Sequence, residues 1–145
     1  MTIRLYDYFR SSACYRVRIA LNLKGLPYEA IDTSLVDGAQ NTPEYKVMNP
    51  QGFVPMLEVD GLRITQSLAI IEWLDSYAPE PRFVPTDPVA RARQMALALT
   101  IACDIHPLNN LRVLKYLGSP LGVEEAARDD WYRHWVIAGF DALEA

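Results

Sequence analysis

The sequence has few cysteines, no excess of positive charge and no long apolar run. Cys14 and Cys103 are its two cysteines, a poor disulfide framework, and so a reducing cytoplasm is the expected setting. Fourteen basic residues stand against 18 acidic ones, for a net charge of −4. That balance offers no electrostatic footprint for nucleic acid or an anionic membrane, and neither is expected as a partner. No stretch approaches the roughly 18 apolar residues that a membrane helix needs. Met1-Thr2-Ile3-Arg4 leads straight into a strand pattern, so no signal peptide is read there. Internal repeats and low-complexity tracts are also missing. What remains is ordinary for a chain that folds: 145 residues, half of them apolar, 22% charged and 10% aromatic, enough for one domain or two small ones.

Two halves separate by pattern. The run from Ala78 to Pro88 carries prolines at 79, 81, 85 and 88, which can neither continue a helix nor pair inside a sheet. The division is therefore 1–80 as a first domain, 81–87 as linker and 88–145 as the start of an all-helical domain. In the first half, Ile3–Tyr8 alternates as a strand. Tyr15–Lys24 has helical spacing and ends on Gly25, and Tyr28–Ile31 is a second strand. Thr42-Pro43 reads as an N-cap with proline at the first helical position. Asp60-Gly61 between Met56–Val59 and Leu62–Thr65 is a strong hairpin signal, and Ser67 is expected to cap Leu68–Tyr77. The order βαβ-α-ββα is an α/β thioredoxin-like arrangement. In the second half a helix from about Pro88 is expected to kink at Pro107 and continue to Leu117. Another begins near Val123 and meets no stop signal before Ala145, which reads as a truncated chain with Trp131 to Phe140 underpacked.

Three places can carry chemistry. In a thioredoxin-like unit the turn Phe9-Arg10-Ser11-Ser12-Ala13-Cys14 delivers side chains to a helix N-terminus, where the dipole and free N–H groups favour a thiolate. A redox member has Cys-x-x-Cys there; Ser11 replaces the first cysteine, which weakens dithiol chemistry but leaves a hydroxyl to donate to another molecule's thiolate. The plainer account is that Ser11 and Ser12 cap the helix and Cys14 packs as a small apolar residue. In Asn49-Pro-Gln-Gly-Phe-Val-Pro55, a cis Val54–Pro55 bond leaves the Val54 N–H and C=O free for an extended peptide ligand; otherwise Pro55 merely starts an edge strand. Gln66-Ser67 at the third helix's start makes a carboxylate site, or nothing beyond a cap.

Together these stretches resemble the zeta class of glutathione transferases. The resemblance rests on Arg10-Ser-Ser, on Tyr15 to Tyr28, on Asn49-Pro-x-x-x-Val-Pro55 and on Gln66-Ser-Leu-Ala-Ile-Ile-Glu-Trp-Leu74. It continues through Cys103-Asp-Ile-His-Pro-Leu-Asn-Asn110 and Trp135 to Glu144, so it spans essentially the whole chain. The class includes maleylacetoacetate isomerase and the bacterial maleylpyruvate isomerase, and Cys-Asp-Ile-His-Pro is particularly like the bacterial enzymes. The resemblance implies glutathione as cofactor, paired with Val54 before Pro55, its γ-glutamyl carboxylate on Gln66 and Ser67 and its glycyl end near Gln40. It implies Ser11 and Ser12 as thiolate stabilisers and Arg10 as the cation for an anionic keto acid. His106, Asn110, Leu111 and Arg112 match further glutathione-contacting positions. His106 and Asn110, four apart on the expected helix, share a face; they otherwise repair backbone bonds broken by Pro107 or bridge a dimer. The class is often Ser-Ser-Cys where this chain has Ala13, which counts against cysteine chemistry. Arg16 is read as structural.

The reaction implied is cis–trans isomerisation of a maleyl keto acid: thiolate addition, bond rotation and elimination. The alternatives are a transferase, peroxidase or dehalogenase using the same thiolate, thiol–disulfide exchange through Cys14, or a non-catalytic glutathione-binding member. A homodimer is the family's usual state.

Overall fold

A computed structural model describes residues 2–145; Met1, counted above in the first domain, lies outside them. The chain divides into two compact units, one ending at Val84 and the other spanning Pro85–Ala145.

The first unit contains strand β1 (Ile3–Asp7), helix α1 (Ser12–Leu23), strand β2 (Glu29–Asp32), a 3-10 turn at Ala39–Asn41 and helix α2 (Pro43–Met48). Strands β3 (Met56–Val59) and β4 (Leu62–Thr65) and helix α3 (Ser67–Tyr77) complete it. The sheet order is β2-β1-β3-β4, with β1 parallel to β2 and antiparallel to β3. This is the expected thioredoxin-like arrangement. Alternation along β1 sends Ile3 and Leu5 to one face, where they meet Val17, Ala20 and Leu21 of α1, Leu57 and Val59 of β3, and Ile70 and Leu74 of α3. Each of the leucine, isoleucine and valine side chains contributes about 1.5–3 kcal/mol on burial. The opposite face holds Tyr8, Cys14, Tyr45, Val54 and Met56. Further along it, Arg4 bridges Glu29 and Glu58, and Glu58 also pairs with Arg63, a solvated row that adds little stability.

Local signals explain the boundaries. α1 begins at Ser12, three residues before its apolar periodicity, because Ser11 caps it. It ends in a Schellman motif: Gly25 takes φ 63, its N–H bonds Asn22 O, and Leu26 N–H bonds Leu21 O. Thr42 caps α2 with Pro43 in the first turn, as expected. Asp60 and Gly61 both have positive φ, the turn whose twist matches a tight hairpin. Ser67 is not the cap of α3. Gln66 occupies that position at φ 70, ψ 114 and makes no side-chain capping bond.

The proline-rich segment is partly built into the first unit. Lys24 Nζ, wholly buried, lies 2.8 Å from Asp75 Oδ1 and donates to the carbonyls of Ala78 at 2.6 Å and Pro81 at 2.9 Å. Asp75 in turn accepts from the N–H groups of Phe83 and Val84, and the Phe83 ring lies 4.4 Å from Lys24 Nζ. Residues 78–84 are thus strapped down by one ion pair, so the first four residues of the stretch read as linker 81–87 belong to the first unit.

The second unit is helical: α4 (Pro88–Leu99), a π-helical segment (Thr100–Ile105), α5 (His106–Asn109), α6 (Leu111–Gly118) and α7 (Glu125–Glu144). Asp87 caps α4 through Ala90 N–H. The helix expected to kink at Pro107 and run to Leu117 behaves differently. Its disturbance starts seven residues earlier, as six residues of wider π turn in which His106 N–H reaches Ile101 O. Pro107 has no N–H to offer Cys103 O, and its ring crowds that carbonyl, so the wider turn relieves both problems. The helix then stops at Asn110, which has ψ 160 and caps α6 through Val113 N–H. α7 comes close to the π segment at Gly139, where a Cβ would fall 2.3 Å from Ile105 Cγ1, and Trp131 Nε1 donates to Leu108 O at 2.9 Å. Ile137 and Phe140 remain about half exposed.

Burial alone would push the Asp75 carboxyl up, but Lys24 and the Val84 and Phe83 N–H groups outweigh it and hold it below the ordinary value. A lowered folded-state value adds stability above the unfolded value near 4, and that stability is lost as pH falls through the folded value. Asp75→Asn leaves Lys24 buried without its counter-charge and is expected to cost about 3–5 kcal/mol. Urea unfolding of the variant should show this loss, together with a weaker decline of stability on acidification than wild type.

Candidate active site at the β1–α1 turn

Three loops of the first unit meet through contacts that can be followed residue by residue. The turn after β1 is closed by Ser11 N–H to Tyr8 O at 2.9 Å, with Phe9 and Arg10 exposed at its corner. Ser11 Oγ then accepts from Cys14 N–H at 3.2 Å. Capping occupies a lone pair and leaves the hydroxyl proton to be donated. The structural and the chemical readings of Ser11 are therefore compatible. Ser12 opens α1 as an exposed residue.

Cys14 is fully buried, in one apolar cluster with Tyr8, Tyr45, Val54 and Met56. Burial pushes its thiol up to about 11, despite the lowering effect of hydrogen bonds from Ser11 and the Tyr8 backbone. A thiol so disposed is almost wholly protonated at neutral pH and a poor nucleophile. Arg16, read as structural, is partly buried, and that burial lowers its pKa. Two residues on, Arg18 Nη1 donates to Asp7 Oδ1 at 2.7 Å.

The second loop is Asn49 to Pro55. Asn49, Pro50 and Gly52 suit positions one, two and four of a turn, and Gly52 N–H closes it on Asn49 O at 2.9 Å. The Phe53 carbonyl accepts from Tyr45 Oη at 2.6 Å and from Asn49 Nδ2 at 2.8 Å. The Val54–Pro55 bond is cis, as expected. Among the described residues, the Val54 N–H and C=O make no hydrogen bond, although the Val54 side chain is buried.

Two contacts bind the other predicted residues to this loop. Gln66 Nε2 donates to Gln51 Oε1 at 2.9 Å, and the Gln40 carbonyl lies 2.9 Å from where a Cβ on Gly52 would be. Gln40 Oε1 is buried without a partner, a state that protein interiors rarely leave unexplained. Gln66 holds a backbone conformation that costs on the order of 1–3 kcal/mol for a non-glycine residue, of the kind that gathers at functional sites. Beyond it the first N–H groups of α3 have no capping side chain, and Ser67 is buried beside them. Ser11, Gln40, Val54, Gln66 and Ser67 thus belong to one connected corner, with open backbone donors, an open acceptor and one orphaned amide oxygen.

His106, Asn110, Leu111 and Arg112 lie in the second unit, at the junction of α5 and α6. The shared helical face expected of His106 and Asn110 is not formed, because the helix breaks at Asn110 and its side chain is spent on capping α6. Sequence reasoning missed Gln51, Arg18 and the Tyr45–Asn49 clamp. Gln51 lay within a recognised motif; the other partnerships join separate elements and leave no local pattern. An open groove of about 290 Å³ on α7, lined by Asp129, Tyr132, Arg133, Val136 and Ile137, includes none of the predicted residues.

Residues 1–76 match the family described as "Glutathione S-transferase, N-terminal domain". The chain is 51% identical over 147 residues to a protein of Vibrio cholerae named probable maleylacetoacetate isomerase, covering 99% of this chain and 68% of that one. It superposes with a TM-score of 0.92 on the holo structure of maleylpyruvate isomerase, a bacterial zeta-class glutathione S-transferase, at 45% identity over 96% of this chain and 66% of that one. The maleylacetoacetate isomerase of Methylobacterium extorquens, with malonate and GSH bound, gives a TM-score of 0.93 at 42% identity, over 97% and 66% of the two chains. The chain therefore spans about two thirds of the length of these relatives.

Alkylation at neutral pH is expected to label the exposed Cys103 and to spare Cys14 until the protein is unfolded, as peptide mass mapping would show. Gly52→Ala places a Cβ against the Gln40 carbonyl at φ 64. It should lower stability by about 1–3 kcal/mol in urea unfolding.

Proposed function

Because this chain belongs to the glutathione S-transferase family, and within it to the zeta class, we propose that it is a glutathione-dependent cis–trans isomerase of maleyl keto acids. The observation that carries this reading is Val54: its N–H and C=O stand open beside the Ser11 turn, in a loop held from behind by Tyr45 and Asn49. An extended peptide with a thiol in its middle residue fits that pair of groups, with its sulfur at the α1 N-terminus.

The remaining groups suit the two ends of such a peptide. The uncapped N-terminus of α3, with the Ser67 hydroxyl and Gln66, suits a carboxylate. Gln40 is assigned to the other end by the resemblance, where its amide N–H groups would be the donors. His106, Asn110, Leu111 and Arg112 are assigned as further glutathione contacts by the resemblance.

Glutathione held by Val54, Gln66 and Ser67 would supply a thiolate nucleophile for reversible addition to the conjugated cis double bond, the chemistry that lets that bond rotate and regenerates the cofactor. The chain's own part is electrostatic. Ser11 donates its hydroxyl proton to the sulfur, assisted by Ser12 and the α1 dipole, and keeps the thiol ionised at neutral pH. A charged sulfur is a stronger acceptor than the neutral Cys14 thiol. Arg10, at the exposed corner of the same turn, holds a substrate carboxylate and opposes the negative charge that develops on the keto acid. Cys14, buried and protonated, takes no part. We assign the protein to the cytoplasm as a homodimer; among the described residues no helix is long and apolar enough to cross a membrane.

The test is to follow maleylpyruvate and maleylacetoacetate with and without glutathione. Turnover should require glutathione, Ser11→Ala should lower kcat about 10²-fold, and Cys14→Ala should change it little. Conjugation of a chlorinated electrophile with neither keto acid turned over would sink the isomerase reading. Loss of activity in Cys14→Ala but not Ser11→Ala would restore thiol exchange.

A further inference from the structure

The turn that carries Arg10 and Ser11 is held from beneath by one guanidinium. Its closing bond, Ser11 N–H to Tyr8 O, leaves untouched the peptide between the two corner residues, Phe9 and Arg10. Flipping that peptide is what interconverts the common turn types. Here the carbonyl of that peptide, Phe9 O, accepts from Arg18 Nη2 at 3.0 Å. Arg18 Nη1 donates at the same time to Asp7 Oδ1 at 2.7 Å and Oδ2 at 2.8 Å. Asp7 ends β1, and its own carbonyl accepts from Thr33 N–H at 2.7 Å. The guanidinium carbon also sits 5.4 Å from the centre of the Tyr15 ring. The ion pair is largely shielded, with 20% of the Arg18 side chain and 12% of the Asp7 side chain exposed.

We propose that Arg18 is a positioning residue for the thiolate site: it locks the Phe9–Arg10 peptide to the end of β1 and cancels the Asp7 charge behind the turn. Both effects bear on the sulfur. A fixed peptide sets the directions in which Arg10 and the Ser11 hydroxyl project, and an unpaired Asp7 carboxylate would oppose a second anion nearby. A planar fork is needed to hold a carboxylate and a carbonyl together. Lysine in its place reaches Asp7 but, as a compact ammonium, cannot span both. The proposal rests on the glutathione reading above.

Arg18→Lys and Arg18→Met are to be compared with wild type at one neutral pH. The readouts are the ultraviolet absorbance of the bound glutathione thiolate, kcat for the keto acid, KM for glutathione, and the urea midpoint. Arg18→Lys should keep the urea midpoint and bind glutathione, yet show about threefold less thiolate, corresponding to about half a pKa unit. Its kcat should fall about tenfold with KM for glutathione little changed. Arg18→Met, which also uncovers Asp7, should lose more thiolate still; if it does not fold, the lysine variant decides alone. Thiolate absorbance and kcat equal to wild type in Arg18→Lys overturn the proposal, as does a drop in stability with the thiolate of the folded, bound protein unchanged. A wild type that ionises bound glutathione but isomerises neither keto acid refutes the isomerase reading alone, and the thiolate comparison still decides the role of Arg18. A wild type with no bound thiolate overturns both.

Discussion

Tyr45 and Asn49 donate to the same carbonyl oxygen, that of Phe53, and the geometry of the candidate site descends from that double bond. Asn49 is buried and sits at the end of α2; Tyr45 is buried within the same helix. Together they hold the Asn49–Pro55 loop against the helix rather than against the sheet. With Phe53 tied inward, Val54 buries its side chain among Tyr8, Cys14, Tyr45 and Met56 and keeps its backbone groups open. Gln51 is carried to Gln66, and Gly52 meets the Gln40 carbonyl. One carbonyl with two donors thus links the loop before α2, the loop after it and the start of α3.

Much of what this corner presents is main chain: the Val54 peptide groups and the first N–H groups of α3. Such groups are fixed in direction by the fold and cannot reorganise as charge develops, which is the property that makes electrostatic stabilisation effective. Ser11 follows the same economy. Its oxygen organises the helix by accepting from Cys14 N–H, and that organisation aims its proton. Cys14, the thiol on the same turn, is disarmed by burial.

Features with short-range causes were legible in the sequence. Asp60-Gly61 fixed the β3–β4 hairpin to the residue, Thr42-Pro43 the start of α2, Gly25 the end of α1, and the strand and helix order the sheet topology. Misreadings arose where two causes compete or where a partner lies far along the chain. Ser67 looked like a cap because serine usually is one, but Gln66 takes the strained position ahead of it. Pro107 announced a distortion without revealing that it would spread back to Thr100 as π turns, or that Asn110 would end the helix. The pairing of Arg18 with Asp7 left no trace in the pattern, because Asp7 lies eleven residues away at the end of β1. At the site itself the motif residues were legible as candidates, whereas the contacts that join them, Gln51 to Gln66 and Gly52 to Gln40, were not.

The strap between Ala78 and Val84 is gripped almost entirely by its main chain. Lys24 reaches the carbonyls of Ala78 and Pro81, Asp75 takes the N–H groups of Phe83 and Val84, and Phe83 alone offers a side chain to the ammonium. Recognition of that kind is blind to most side-chain identities along the strap. Exchanges of the exposed side chains at 79, 80 and 82 therefore leave that grip in place, whereas Lys24 and Asp75, distant in the chain, each depend on the other.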